Sequence, residues 1–341
     1  FSGTSSPIAS FNSPRERDMQ FSFTADQRLF AESLRELLTH ECPPALVRSI
    51  WEEGTGHSPD LWSKLADMGV LSLLVPEAHG GMSGTFVDAI LLFQELGRAA
   101  VPGPILEHMV IAAPSLATTK WGPSLIDGSC VATAWVDDSP YVAHAGVAEL
   151  IVRRDHILSN ATIEEIHSVD GGRRLAVVSG GDRTDHDLKP FMPSDIEPVD
   201  LLALAAAAYL VGLAERMIEM AAEYARQREQ FGKPIGSFQA VKHLMSDALL
   251  KVEFAKAPTY RAAWSASVAS TTASRDISMA KALASEAAYR ASRSSMQVFG
   301  GIGYTWEADL QLWMKKSWAM MRAFGDATTH RRRVAASVLD S

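Results

Sequence analysis

The chain has 341 residues and a mass of 37.0 kDa, which suggests about two domains or three small ones. Its 32 basic and 40 acidic residues give a net charge of −8, which argues against a general binder of nucleic acid or of anionic membranes. Two cysteines, Cys42 and Cys130, are too few for a disulfide framework or a cysteine-rich zinc site.

The first residues carry no structural periodicity. Residues Phe1–Asp18 are rich in Ser, Pro and Gly, so we interpret them as disordered or as an expression-derived tail ahead of Met19. They contain no secretory apolar segment, which makes a reducing cytoplasm the expected compartment.

Residues 19–117 have the pattern of a helical domain. Thr24 and Gln27 have the spacing of a capping box, which predicts a helix start. Ser58-Pro59 predicts a second start, because Pro is favoured at the first helical position. Phe86–Ala99 repeats apolar residues at helical spacing and predicts a further helix.

Residues 118–198 change to short β-prone runs. These runs are separated by turns rich in Asp and Gly, and they are Val131–Trp135, Leu150–Val152 and Leu175–Val178. The pattern predicts a small antiparallel sheet.

Residues 199–341 return to helical periodicity. Leu201–Arg226 has the composition of a helix that is buried on several sides, and its apolar run Leu201–Ala214 is too short for a membrane span. Pro258 is expected to kink or end the following helix, and Ser274–Phe299 predicts another long one. The fold is therefore predicted to be mainly α, with a small β domain between two helical domains.

Metal and hydrolase chemistry have little support in the sequence. The ten histidines show no ligand spacing, no GxSxG string occurs, and neither cysteine lies beside a histidine. We therefore predict no metal site.

Two strings have the composition of a nucleotide-binding surface. Gly300-Gly301-Ile302-Gly303 follows a helical pattern, which favours a helix C-terminal turn over a Rossmann loop. Gln297 lies one turn earlier, so an amide side chain and bare backbone meet where a phosphate or adenosine can approach. Arg228 precedes Phe231 and a Gly-x-Pro turn, which predicts a rigid corner that is both basic and aromatic. The aromatic residues Tyr304 and Trp306 that follow are expected in the core.

The two strings, RxQFGxPIxxFQAV (Arg228–Val241) and QxxGGxGY (Gln297–Tyr304), resemble those of the acyl-CoA dehydrogenase family. Leu65–Gly81 is similar to the family's opening domain. The resemblance implies an N-terminal helical domain, a middle antiparallel β domain and a C-terminal four-helix bundle. It also implies FAD as cofactor, dehydrogenation of an acyl-CoA thioester, and an electron-transfer flavoprotein as electron acceptor.

In the family, these strings contact the adenosine-diphosphate half of an FAD that is held mainly by the neighbouring subunit. The resemblance therefore assigns cofactor contacts to seven residues, which are Arg228, Gln230, Phe231, Gln239, Gln297, Gly300 and Gly301.

The family's catalytic base has no clear counterpart in this chain. An ungapped alignment places Gly325 at the usual Glu position, and glycine has neither acid nor base function. Asp326 is one position further, where a helical or turn backbone re-aims a side chain by about 100°. Members of the isovaleryl type carry the base on the preceding long helix, where this chain has Leu202, with Asp200 two residues away.

The β-domain strings that seat the flavin ring, Thr/Glu-Pro-x-x-Gly-Ser and Trp-x-Thr/Ser, are absent from Cys130–Asn160. Because the ADP-end contacts are present and the ring seat and base are not, the sequence predicts a subunit of a heterotetramer (α2β2). An intact homologous subunit would supply the base, as in the family's steroid side-chain acyl-CoA dehydrogenases. Two alternatives stay open, a self-sufficient enzyme that uses Asp326 or Asp200 and a flavin-free scaffold.

Overall fold

A computed structural model gives the structure of residues 22–188 and 196–339, so the predicted tail Phe1–Asp18 lies outside the described residues. The helical start of the chain is confirmed: α1 (Ala25–Glu41), α2 (Pro44–Glu53), α3 (Pro59–Asp67) and α4 (Phe86–Arg98). The predicted capping box is present, because Thr24 Oγ1 accepts from the Gln27 amide at 3.2 Å and Gln27 Oε1 accepts from the Thr24 amide at 2.9 Å.

A buried helical segment connects this unit to the strands. It comprises α5 (Ile105–Glu107), a π-helical stretch (His108–Ala112), α6 (Ala113–Leu116) and α7 (Gly122–Ile126).

Seven short strands follow within residues 132–185 and form two sheets. They are β1 (Ala132–Ala134), β2 (Val142–Ala143), β3 (Leu150–Val152), β4 (His156–Ser159), β5 (Thr162–Ile166), β6 (Leu175–Ser179) and β7 (Asp182–Asp185). The four-stranded sheet has the order β1-β3-β4-β7 and the three-stranded sheet the order β2-β6-β5. The predicted antiparallel pairing holds for every pair of these strands except β1 with β3, which is parallel. Between β1 and β3 the chain passes through β2, which pairs with β6 in the second sheet. Strand β3 then enters the first sheet in the same direction as β1, and the two strands are parallel.

The last part of the chain is a helical bundle. Its elements are α8 (Pro198–Gln227), β8 (Glu229–Gln230), β9 (Lys233–Pro234), α9 (Gln239–Ser267), α10 (Ala273–Phe299), α11 (Leu310–Arg322) and α12 (Ala327–Leu339). Pro258 does not end α9, which continues to Ser267. Packing of α9 against α8 and α10 offsets the cost of about 3 kcal/mol that an interior proline carries.

Helix α8 is the centre of the core and contacts α4, α9, α10 and α11. It crosses α4 at two glycines, since a Cβ on Gly97 would lie 2.0 Å from the Tyr209 carbonyl oxygen and one on Gly212 would lie 1.9 Å from that of Gln94. By length and composition α8 could cross a membrane, but 89% of its apolar window is buried inside the fold. It therefore has the environment of a core helix.

The expectation that Tyr304 and Trp306 lie in the core is wrong. Tyr304 is 80% exposed and Trp306 is 46% exposed. Trp306 lies against Trp51 at a ring distance of 6.3 Å and beneath the Arg48 guanidinium, so it tethers the loop after α10 to α2.

Candidate functional site

The two strings assigned to FAD meet at one end of the bundle. The Tyr224 ring near the end of α8 stacks on the Phe299 ring at the end of α10, with centroids 4.4 Å apart and planes 11° apart. Ala221, Ala225 and Val298 are buried in the same small apolar cluster. Apolar packing beneath the surface therefore fixes the two strings relative to each other.

The first string forms a tight corner after α8. The Arg228 amide closes α8 on the Tyr224 carbonyl, and the Ile235 amide returns to the Arg228 carbonyl at 2.8 Å. At the tip of the β8–β9 hairpin, Phe231 has a φ of +54° and is 91% exposed. An aromatic ring held in that conformation and left in solvent is available for stacking on a flat ligand.

The second string ends α10 with open backbone. Gly300 has a φ of +64°, and no atom outside the neighbouring residues lies within 4 Å of a Cβ added to Gly300 or Gly301. The empty space is the cradle that side chains at these two positions would fill. The predicted helix C-terminal turn is thus present, with its backbone exposed.

All seven residues assigned to the ADP end are exposed; they are Arg228, Gln230, Phe231, Gln239, Gln297, Gly300 and Gly301. None of them lines the cleft between the strands and the end of α11. A guanidinium, three exposed amides, an exposed aromatic ring and two open glycines form a donor set that fits a dinucleotide tail. We call these seven residues the ADP-end surface.

A cleft of about 380 Å³ lies between the strands and the end of α11. Its lining includes apolar and aromatic side chains and the turn after α11, among them Trp135, Tyr141, Val169, Trp318, Phe324 and Gly325. Two charged residues of the lining, Glu107 and Arg173, are buried. They form an ion pair in which Arg173 Nη1 donates to Glu107 Oε1 at 3.0 Å. The Arg173 guanidinium also lies 5.3 Å from the Phe324 ring centroid.

Gly325 is the cleft residue at the position expected for the base. It has a φ of +96°, and an added Cβ would lie 2.7 Å from His330 Nε2. That nitrogen is 3.0 Å from the Phe324 carbonyl oxygen, so the buried ring has little freedom to move. The turn therefore excludes a side chain by both its conformation and its packing.

The two alternative carboxylates are engaged elsewhere. Asp326 Oδ1 accepts from the Thr329 amide at 2.8 Å and caps α12. This backbone hydrogen bond lowers the pKa of the Asp326 carboxyl. Asp200 is buried and accepts two bonds of 2.6 Å from the Arg333 guanidinium. Neither Asp326 nor Asp200 lines the cleft.

Three buried charged residues near the cleft are not identified from the sequence. Glu107 interrupts an apolar helical segment, Arg173 lies in a glycine-rich turn, and Lys281 lies on the buried face of α10. Glu107 and Lys281 could have been found as isolated charges at otherwise apolar positions, whereas Arg173 stands beside Arg174 and gives no such signal. Residues 22–188 and 196–339 hold no cluster of three or more His, Cys, Asp or Glu side chains that could hold a metal ion.

The family models match both helical parts. Residues 24–121 match the acyl-CoA dehydrogenase N-terminal domain, and residues 196–339 match the acyl-CoA dehydrogenase C-terminal domain. Acyl-CoA dehydrogenase IpdE2 of Mycolicibacterium smegmatis is 32% identical over 92% of this chain and 99% of its own length. Acyl-CoA dehydrogenase IpdE2 of Mycobacterium tuberculosis is 30% identical over 93% and 98%.

Solved structures have the same fold. A chain of the ChsE4-ChsE5 complex from Mycobacterium tuberculosis superposes with a TM-score of 0.84 at 24% identity, over 95% of this chain and 100% of that one. A chain of the Tcur3481-Tcur3483 steroid ACAD superposes with a TM-score of 0.81 at 21% identity, over 92% and 98%. With both domain types matched and relatives at 30% identity or more along nearly its whole length, the chain belongs to the acyl-CoA dehydrogenase family.

Proposed function

We propose that this chain is one subunit of a heteromeric, FAD-dependent acyl-CoA dehydrogenase. Its ADP-end surface contacts the nucleotide half of an FAD that a homologous partner subunit seats, and the partner supplies the catalytic carboxylate. When bound, FAD supplies the hydride acceptor for α,β-dehydrogenation of the thioester. The single observation that carries the proposal is the contrast between an exposed, complete ADP-end surface and a cleft whose turn excludes a side chain at Gly325.

The separation of the two regions supports a shared cofactor. No residue of the ADP-end surface lines the cleft, which supports a role of this surface toward a flavin outside this chain's own cleft. Apolar side chains on the outer faces of α9 and α10, such as Phe254 and Met279, are also suited to burial against a partner. Two similar structures are described as two-component assemblies, the ChsE4-ChsE5 complex and the Tcur3481-Tcur3483 steroid ACAD.

The substrate is proposed by analogy with these structures, and the compartment is proposed from the state of the cysteines. We propose a steroid side-chain acyl-CoA as substrate, since Tcur3481-Tcur3483 is described as a steroid ACAD, and an electron-transfer flavoprotein as electron acceptor. Both cysteines are free and buried, which fits a reducing cytoplasm.

The first test measures flavin content with Arg228→Ala. The Arg228 side chain has no hydrogen-bond or ionic partner among the described residues, so its removal leaves the fold intact. Loss of a charge-assisted bond to phosphate should weaken FAD retention by about tenfold or more. The native complex is purified from the host, and FAD is counted per chain by absorbance.

Arg226→Ala is the matched control, because Arg226 is exposed near the end of the same helix and lies outside the motif. Its flavin content should equal that of the unmodified complex. Equal flavin content in both variants would contradict the proposal, as would full activity of this chain without a partner. A native complex that contains no flavin would support a scaffold role instead.

A further inference from the structure

Lys281 is a fully buried lysine behind the wall of the cleft. It projects from α10, and its Nζ donates to the Gly325 carbonyl at 3.0 Å and to the Met321 carbonyl at 3.2 Å. Ser285 Oγ lies at 3.5 Å. An ammonium group has three donors and no acceptor, so these three oxygens match its charged form.

Two of these oxygens belong to the turn that forms the cleft wall. Met321 lies in the last turn of α11, where carbonyls lack helical partners and a positive charge is favourable. Gly325 lies at the other end of the turn, immediately before Asp326 and α12. Lys281 therefore contacts both ends of the turn, and it is not among the residues that line the cleft.

No Asp or Glu oxygen lies within 4.0 Å of Lys281 Nζ in the part of the chain that the structure describes. Burial lowers the pKa of Lys281 to about 7; the negative charge of Asp326 raises this pKa, and the positive charge of Arg173 lowers it further. His330 on α12 faces the same space, and burial lowers its pKa to about 4, so this ring stays neutral where Lys281 titrates.

We propose that Lys281 is a proton-controlled latch on the turn between α11 and α12. The charged ammonium ties both ends of the turn and holds the cleft wall, including Phe324, in place. Loss of the proton removes one donor and the charge that strengthens the other bonds, and the turn loosens. This device belongs to the present chain and operates whichever subunit supplies the catalytic base.

The test is hydrogen exchange of the turn, measured by mass spectrometry on the full chain with whatever partner and flavin it carries. After correction for the intrinsic pH dependence of exchange, protection of residues 321–327 should fall by about tenfold between about pH 6 and about pH 9. This loss corresponds to about 1.4 kcal/mol, and its midpoint should lie near the pKa of Lys281.

Lys281→Met should remove this pH-dependent fall in protection, the pH step, and leave the turn weakly protected at every pH. Lys315→Met is the matched control, because Lys315 lies on the helix that leads into the turn and donates to the Gln311 side chain at 2.9 Å; it should keep the step. If Lys281→Met does not fold, the unmodified chain remains decisive, since protection that is constant to within about twofold across this range overturns the proposal. Loss of the step in Lys315→Met also overturns it.

Discussion

Gly325 leaves the cleft without an acidic or basic side chain at the position expected for the base. An acid or base introduced at position 325 would be strained, because Gly325 has a φ of +96° and an added Cβ would lie 2.7 Å from His330 Nε2. The turn is built around the glycine, with the His330 ring bonded to the Phe324 carbonyl. The absence of a carboxylate there is thus part of the local structure and involves more than one side chain.

Substitution of two glycines by alanine should cost different amounts of stability. Gly325→Ala should lower the free energy of unfolding by about 2–4 kcal/mol, because it combines a left-handed backbone with overpacking. Gly180→Ala should cost only about 1 kcal/mol, since Gly180 has a φ of +62° but no atom within 4 Å of an added Cβ. Urea denaturation measures both values. Equal costs would show that His330 moves aside and that the packing argument is wrong.

At the scale of elements, two buried histidines join segments that are distant in the chain. His108 Nε2 donates to the Leu125 carbonyl at 3.0 Å, and its Nδ1 accepts from the Ala132 amide. This neutral ring connects the π-helical stretch to α7 and β1. The His330 ring connects α12 to the turn before it through the Phe324 carbonyl and also contacts Ser278 on α10. The His108 junction requires an uncharged imidazole, because its Nδ1 accepts a hydrogen bond; the His330 ring is kept uncharged by burial, which lowers its pKa.

These contacts predict how stability depends on pH. Burial lowers the pKa of His108 and of His330 to about 4, whereas an unfolded chain binds a proton on each ring below about pH 6.5. The free energy of unfolding should therefore decrease as the pH falls from about 6.5 to about 4, with each ring adding up to about 1.4 kcal/mol per pH unit. Urea denaturation at several pH values measures this slope.

Gln substitutions at the two positions should reduce that slope, since glutamine does not titrate. His79→Gln is the control, because His79 is exposed in a surface turn and should leave the slope unchanged. Stability that is independent of pH over this window in the unmodified chain would contradict the assignment of neutral, buried rings.

At the scale of the whole molecule, the bundle presents apolar side chains to solvent. Leu250 and Phe254 lie one turn apart on α9, and Met279 and Leu283 lie one turn apart on α10. Phe254 is 69% exposed. Large apolar side chains that repeat along two neighbouring helices indicate an interface, which agrees with the proposed heteromeric assembly.

The corresponding prediction concerns assembly. Phe254→Glu should reduce association with the partner by at least about tenfold, because it places a charge in an apolar contact. The variant chain should keep its helical content, since the side chain points into solvent. Val177→Glu on β6 is the control for an exposed apolar residue outside the bundle. Analytical ultracentrifugation and circular dichroism measure both properties, and normal assembly of Phe254→Glu would exclude this face as the interface.

Local patterns in the sequence determined most of the secondary structure and the family. The capping box at Thr24, the helical period of α4 and the glycine end of α10 depend on residues within one or two turns, so they can be read without the fold. The residues of the proposed ADP-end surface were chosen in the same way from two short, specific strings, and their contact with FAD stays a prediction. The glycine at position 325 was also visible in the order of residues, and the assignment of the base to a partner subunit stays a prediction.

Tertiary structure alone decided the remaining features, because each depends on residues far apart in the chain. The parallel pairing of β1 with β3 follows from β2 joining a second sheet, and α9 continues through Pro258 because neighbouring helices pack against it. Asp200 is bound by Arg333, 133 positions away, and the turn at Gly325 is held by Lys281, 44 positions away. Burial and pairing of charges are properties of three-dimensional packing, and sequence spacing does not contain them.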